Sequence, residues 1–189
     1  MNANGTITFN SSNAASGSFT YTVADGGAPL GTSTATVTVN IVSTNGNSTV
    51  NLSALTYDAS YLDGGSNIDT LTGGFAPDTF IGGDADDTLV GGNGDDVLRG
   101  GRGNDTIDGG AGVDLLDLSD ATAGVNFTLN QGTNSANPPN QTWSTGPLAG
   151  IGTDAYKNVE GVIGSASNDT ITGSGGNDIL RGGGGNDTL

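Results

Sequence analysis

The chain has 189 residues, 33% of them hydrophobic and 13% charged, with 35 glycines, a composition that excludes a large core of packed helices. Combined with a strict repeat, so much glycine describes a fold built largely of turns; without one it would describe disorder. Twenty acidic residues face four basic ones, and a formal charge of -16 disfavours nucleic acid as a partner. Cys and His are both absent, which removes thiolate and imidazole zinc sites, Cys nucleophiles and His-based triads from these residues. Residues 1–10 lack the basic and apolar regions of a signal peptide, and no apolar run approaches the roughly 18 residues of a membrane span. Any export signal is expected outside this sequence.

Residues 1–48 are rich in Thr, Ser and Val. The alternating runs SFTYTV at 18–23 and TATVTVNIV at 34–42 predict strands, and DGGAPLG between them carries turn chemistry, so the two are expected to pair antiparallel. The segment GTITF…GSFTYTVADGG…TATVTVNIV resembles the closing part of the cadherin-like or immunoglobulin-like repeats of bacterial surface adhesins. That resemblance implies a partial β-sandwich-like segment, because a whole sandwich needs about seven strands.

From Gly64 the period becomes nine. The units GGSNIDTLT, GGFAPDTFI, GGDADDTLV, GGNGDDVLR, GGRGNDTID and GGAGVDLLD run without a gap to Asp117, each with Asp at its sixth position. The eighth position is Leu71, Phe80, Leu89, Leu98, Ile107 and Leu116 in turn. Three more units, GSASNDTIT, GSGGNDILR and GGGGNDTL, run from 164 to 189. Adjacent glycines allow a tight arc over the first six residues of a unit, and the last three extend as a short strand whose middle residue points inward. Two units then complete one coil of eighteen residues.

Between the blocks, residues 118–163 break the period. VNFTL at 125–129 alternates as a strand, and Pro138, Pro139 and Pro147 mark a long excursion through 130–153. On the return, Val159, Val162 and Ile163 are predicted to point inward, while Trp143 and Tyr156 read as local packing anchors.

The nonapeptides resemble the RTX (hemolysin-type) calcium-binding repeats of secreted bacterial proteins. The fold implied is all-β: a parallel β-roll, a right-handed calcium-bound solenoid, preceded by the partial sandwich-like segment. The expected divisions are 1–48, a first roll block at 49–117, an insertion with linking strands at 118–163, and a second block at 164–189. Coils stack at about 4.8 Å, so acids eighteen residues apart meet. Two carboxylates about 5 Å apart repel by roughly 3 kcal/mol at an effective dielectric near 20, and four basic residues are too few to relieve the whole stack. A hard cation accepting six or more oxygens in flexible geometry fits this demand, and calcium does so better than magnesium.

Carried over from the resemblance, the metal ligands are Asp69, Asp78, Asp87, Asp96, Asp105, Asp114, Asp169, Asp178 and Asp187. Each ion is shared by acids eighteen apart, with backbone carbonyls from Gly82, Asp84, Gly91, Asn93, Gly100, Arg102 and Gly109. The side chains of Asp84, Asp86 and Asp95, and those of Arg99, Arg102 and Arg181, are expected to be solvated. Several calcium ions are expected as cofactors, and no catalytic residue stands apart from the repeat. The role implied is calcium-dependent folding and support in a large secreted or cell-surface protein, an adhesin with a cell-surface or polysaccharide target. The alternative is the non-catalytic tail of an extracellular protease, lipase or polysaccharide-modifying enzyme.

Overall fold

The computed structural model describes residues 7–11, 37–43, 47–53, 59–129, 144–148 and 150–189. Among these residues the regular structure is all strand. In chain order the strands are β1 (Ile7–Ser11), β2 (Val37–Ser43), β3 (Thr49–Asn51), β4 (Ser60–Gly65), β5 (Thr70–Thr72), β6 (Thr79–Asp84), β7 (Thr88–Asn93) and β8 (Val97–Arg102). They continue as β9 (Thr106–Ala111), β10 (Leu115–Asp117), β11 (Asn126–Thr128), β12 (Ser144–Leu148), β13 (Gly152–Lys157), β14 (Gly161–Ile163), β15 (Thr170–Thr172) and β16 (Ile179–Arg181). Among the described residues no helix is long and apolar enough to cross a membrane.

From β2 to β10 successive strands alternate between two sheets, as a nonapeptide roll requires. One sheet runs β1-β2-β4-β6-β8-β10-β14-β16 and the other β12-β13-β9-β7-β5-β3, with β11-β15 a separate pair. Pairing within the repeats is parallel and offset by eighteen residues, Phe80 beside Leu98 and Leu89 beside Ile107. The eighth-position residues therefore stack into two facing columns. Leu71, Phe80, Leu89, Leu98, Ile107 and Leu116 all have 0% exposure, and they form the centre of the core between the two sheets.

Residues 1–48 contribute β1 and β2, which pair with each other in parallel, while β2 pairs with β4, also in parallel. These strands extend a sheet of the roll. The expected antiparallel partner at 18–23 lies outside the described residues.

The strands are longer than the nine-residue pattern predicts. β6, β7, β8 and β9 each run six residues, through both glycines, so the arc shrinks to about three residues. The cause is the second glycine of the unit. Gly101 pairs with Gly83 of the preceding coil at φ +104°, and a Cβ there would overlap the Gly83 carbonyl oxygen. With no side chain in the way, the ladder continues across the pair.

The return segment also departs from expectation at one residue. Val159 and Val162 are buried in the core, but Ile163 is only half-buried, because it follows the inward Val162 on the same strand and so faces the other way. Tyr156 does anchor the insertion: its ring lies 4.9 Å from that of Phe127 on β11, and its hydroxyl donates to the Thr128 carbonyl at 3.1 Å. Trp143 lies outside the described residues.

The two kinds of glycine give a direct test. Gly101→Ala places a Cβ on backbone at a left-handed φ and should cost about 2 kcal/mol or more. Gly175→Ala, where a Cβ meets nothing within 4 Å, should stay within about 0.5 kcal/mol of the parent. Denaturant midpoints of the two variants under identical conditions check this, and equal midpoints would refute the assigned coil contact.

Candidate metal centre

Each sixth-position Asp from Asp69 to Asp114 ends an arc at a sheet edge, and parallel stacking puts it over the Asp eighteen residues away. One edge carries Asp69, Asp87 and Asp105, the other Asp78, Asp96 and Asp114; Asp69 and Asp78 start their edges, and all six are at most 2% exposed. The carboxylates are held by backbone. Oδ1 of Asp87 accepts the Asp69 N–H at 2.7 Å, and Oδ1 of Asp96, Asp105 and Asp114 accepts the N–H of Asp78, Asp87 and Asp96 at 2.8 Å each. Oδ1 of Asp69 and Asp78 likewise accepts from Ser48 and Ser60.

The second oxygen is where the edges become unusual. Oδ2 of Asp69, Asp87, Asp96, Asp105 and Asp114 is fully buried and has no hydrogen-bond partner. Carbonyl oxygens crowd the same places: a Cβ on Gly64 would lie 2.5 Å from Asp69 Oδ2 and 2.6 Å from the Gly82 oxygen. The carbonyls of Gly91, Gly100 and Gly109 stand in the same relation to Gly73 with Asp78, Gly82 with Asp87, and Gly91 with Asp96. The carbonyl-bearing residues Asp84, Asn93 and Arg102 end β6, β7 and β8. An oxygen-lined edge without donors is costly, since each buried charged oxygen left unpaired forfeits about 1–3 kcal/mol or more.

The acids divide into two kinds. Asp78 Oδ2 accepts the Gly74 N–H at 3.0 Å, Asp169 Oδ2 the Ser165 N–H at 2.7 Å, and Asp178 Oδ2 the Ser174 N–H at 2.8 Å. In these units the second residue turns its N–H to its own Asp instead of extending the ladder. Where the second residue is glycine at positive φ, as at Gly65, Gly83, Gly92, Gly101 and Gly110, the Asp four residues later keeps a bare Oδ2. Ser165 and Ser174 also donate Oγ–H to Oδ1 of the same acids at 2.7 Å. Asp187, half-buried, accepts the Asp169 N–H at 2.9 Å.

Burial pushes the carboxyls of Asp87, Asp96 and Asp154 up to about 7, Asp105 to about 6 and Asp114 to about 8, with neighbouring carboxylates adding to the rise. Among the described residues no three or more acidic, Cys or His side chains gather into a metal cage. The available donors are carboxylates in columns together with backbone carbonyls, the mixed oxygen set that suits calcium.

Some side chains do more than the sequence suggested. Asp86 and Asp95 are exposed, yet Asp86 Oδ1 accepts the Asn104 N–H at 2.8 Å and Asp95 Oδ1 the Val113 N–H at 2.9 Å, tying each arc to the next. Arg99, expected to be solvated, is only partly so: it is half-buried and bridges β8 to β10 by binding Asp117 through Nη2 at 2.5 Å and Nε at 3.1 Å. Arg102 is exposed and reaches Asp84 only at 3.9 Å, and Arg181 is exposed too.

Two acids absent from the expected ligand set also join the columns. Asp154 Oδ1 accepts the Asp105 N–H at 3.0 Å, and Glu160 Oε2 accepts the Asp114 N–H at 2.9 Å. The signal that could have found them is an acid two residues before an inward apolar residue, Asp154 before Tyr156 and Glu160 before Val162.

Fold and edges together define a parallel β-roll of nonapeptides with buried, oxygen-lined margins. Residues 63–98, 90–120 and 162–189 match the family model of the RTX calcium-binding nonapeptide repeat, so the chain carries repeats of that type over these stretches. No curated protein matches the chain.

The pKa directions set a pH test. Carboxyls raised above their unfolded value of 3.8 bind more protons in the folded chain, so their contribution is fully present below about pH 4 and is lost as pH climbs through about 6 to 8. Chelated protein should therefore show more β-structure by circular dichroism at about pH 5 than at about pH 8. Equal signals would contradict the burial assigned to these acids.

Proposed function

We propose that the chain is a calcium-loaded structural module of a large secreted or cell-surface bacterial protein, folding when calcium enters the edges of the roll. The observation that carries this reading is the set of five buried Asp oxygens without a donor. A divalent cation between arcs would satisfy them and cancel the repulsion along each column. The ligands would be Asp69, Asp78, Asp87, Asp96, Asp105, Asp114, Asp169, Asp178 and Asp187, completed by carbonyls of Gly82, Asp84, Gly91, Asn93, Gly100, Arg102 and Gly109. Asp69, Asp87, Asp96, Asp105 and Asp114 have the stronger claim, because the Oδ2 atoms of Asp78, Asp169 and Asp178 already hold a backbone N–H.

On this reading residues 49–117 and 164–189 are two roll blocks and 118–163 an insertion with linking strands. The role is support and calcium-dependent folding, and the sequence likeness of residues 1–48 to adhesin repeats favours a surface adhesin as parent protein. Calcium would bind the folded coil and not the unfolded chain, so the ion supplies folding free energy by mass action. A half-saturation of about 10⁻⁴ to 10⁻³ M, the range of extracellular calcium modules, would leave the chain unfolded in calcium-poor cytosol and folded outside the cell.

Circular dichroism titrated with calcium tests the proposal: the chelated chain at neutral pH should be largely unfolded and gain β-structure with added ion. A calcium-free sample with an unchanged spectrum would sink it. Position matters as well. Asp96→Asn removes a charge from a bare, buried carboxylate and should raise the calcium midpoint about tenfold. Asp95→Asn keeps the oxygen that accepts the Val113 N–H and should move the midpoint less than about twofold. Equal shifts would mean that the nine-residue phase of the ligands is wrong.

A further inference from the structure

The match to the repeat model lapses between residues 120 and 162, yet part of that gap rebuilds a coil. IGTDAYK at 151–157 lies on RGNDTID at 102–108: the Gly103 N–H donates to the Ile151 carbonyl, the Thr153 N–H to Asn104 Oδ1, and the next residues pair strand to strand. Gly150 and Gly152 have φ of +80° and +106°, as Gly101 and Gly103 have +104° and +143°. Ala155 pairs with Thr106 and Tyr156 with Ile107, and the Ala155 N–H donates to the Asp105 carbonyl at 2.8 Å, just as the Thr106 N–H donates to that of Asp87. Asp154, 2% exposed, thus sits over Asp105 where a repeat would place its sixth residue.

The next arc is compressed. A regular unit takes five steps from Gly109 to Asp114; here the chain goes from Asn158 to Glu160 in two. Asn158 adopts φ +53° and sets its carbonyl against Gly109 and Asp114 Oδ2, the position that the Gly109 carbonyl holds against Gly91 and Asp96 Oδ2 one coil earlier. The extra methylene of Glu160 makes up reach lost with the missing residues, and its Oε2 arrives on the Asp114 N–H.

We propose that residues 150–163 form a cryptic coil completing two further calcium sites, one between Asp105 and Asp154 and one between Asp114, the Asn158 carbonyl and Glu160. The inference rests on the calcium reading above. Two of the bare oxygens behind that reading, Oδ2 of Asp105 and of Asp114, belong to the last acids of the first block, and the groups set against those acids are Asp154, the Asn158 carbonyl and Glu160. An ion at each place would carry both metal columns beyond the first block, and β14 pairs onward with β16 of the second.

The test uses the full chain. Asp154→Asn and Glu160→Gln keep the oxygen that accepts the backbone N–H while removing the charge, and each should hold about one calcium fewer per chain than the parent at saturation. Glu160 is also the only glutamate in the sequence, so a ¹³C label in glutamate carboxyl groups reports on it alone as a carboxylate. Its infrared carboxylate bands in the unmutated protein should differ between calcium-loaded and strontium-loaded samples, because a coordinated carboxylate senses the ion. Parent protein that binds no calcium would sink the calcium reading itself. Parent protein that binds calcium, with both folded variants holding the parental number of ions, would overturn the two added sites. If the variants do not fold, the labelled parent decides: identical Glu160 bands with either ion overturn the proposal for that coil.

Discussion

Everything in the roll is arranged around a carboxylate that has one oxygen tied to a neighbouring coil and the other buried without a donor. Tying Oδ1 to the N–H of the Asp eighteen residues earlier fixes the register between coils and places like charges in a column. Burial then denies water to the second oxygen. The same constraint dictates the first glycine of the unit, since a Cβ on Gly64 would meet both the Asp69 carboxylate and the Gly82 carbonyl. Fully burying one Leu or Phe contributes only about 1.5–3 kcal/mol, and a core with one such side chain per strand has little to spare against unpaired charges. Polar edges and apolar columns therefore oppose each other in the bare chain, and a cation at the edges would align them.

That opposition is not uniform along the chain. In the first block, units with a positive-φ glycine at the second position gain a longer strand and leave their acid bare. Units that turn the second N–H inward, at Gly74, Ser165 and Ser174, give up strand length and satisfy the acid locally. The trade is between ladder hydrogen bonds and carboxylate solvation. In the second block Ser165 and Ser174 add a hydroxyl to the backbone donor, so the acids there depend less on an external charge than those of Asp87, Asp96, Asp105 and Asp114. An array stabilised through nearest neighbours need not have equal coils, and on the proposed calcium reading the coils with bare acids would set its demand for an ion.

The period of nine makes the coil, the inward column and the sixth-position acids legible in the sequence, because each depends only on spacing. What spacing does not reveal depends on φ and on contacts between coils. Strands extend through Gly100 and Gly101 because two backbones approach closely, a fact about the neighbouring coil that one unit does not encode. Arg99 reads as a surface charge until β10 brings Asp117 beside it. Asp86 and Asp95 face solvent, as position five suggests, but their oxygens turn along the edge to the next arc. Asp154 and Glu160 escape a search for glycine pairs because their arcs keep the acid and the inward residue while losing the GG signature.

That loss separates what a coil needs from what a repeat usually carries. At Asp154 the backbone path is retained by Gly150 and Gly152, while the position between them is Ile151, buried at 2% exposure. At Glu160 even the path is shortened, and an Asn at positive φ with a longer acid restores the carbonyl and the carboxylate. The requirements common to both are an acid two residues before an inward apolar residue and a backbone able to lie against the coil below. Any chain meeting them can stack, so a sequence can depart from the nine-residue pattern and resume the roll provided that the residues resuming it supply that acid and that inward side chain. The salt bridge from Lys157 to Asp108 at 2.8 Å and the bond from the Asn158 amide to the same Asp at 2.7 Å pin the returning strand where it must do so. Continuity of the columns, more than continuity of the sequence repeat, is then what makes two blocks one solenoid.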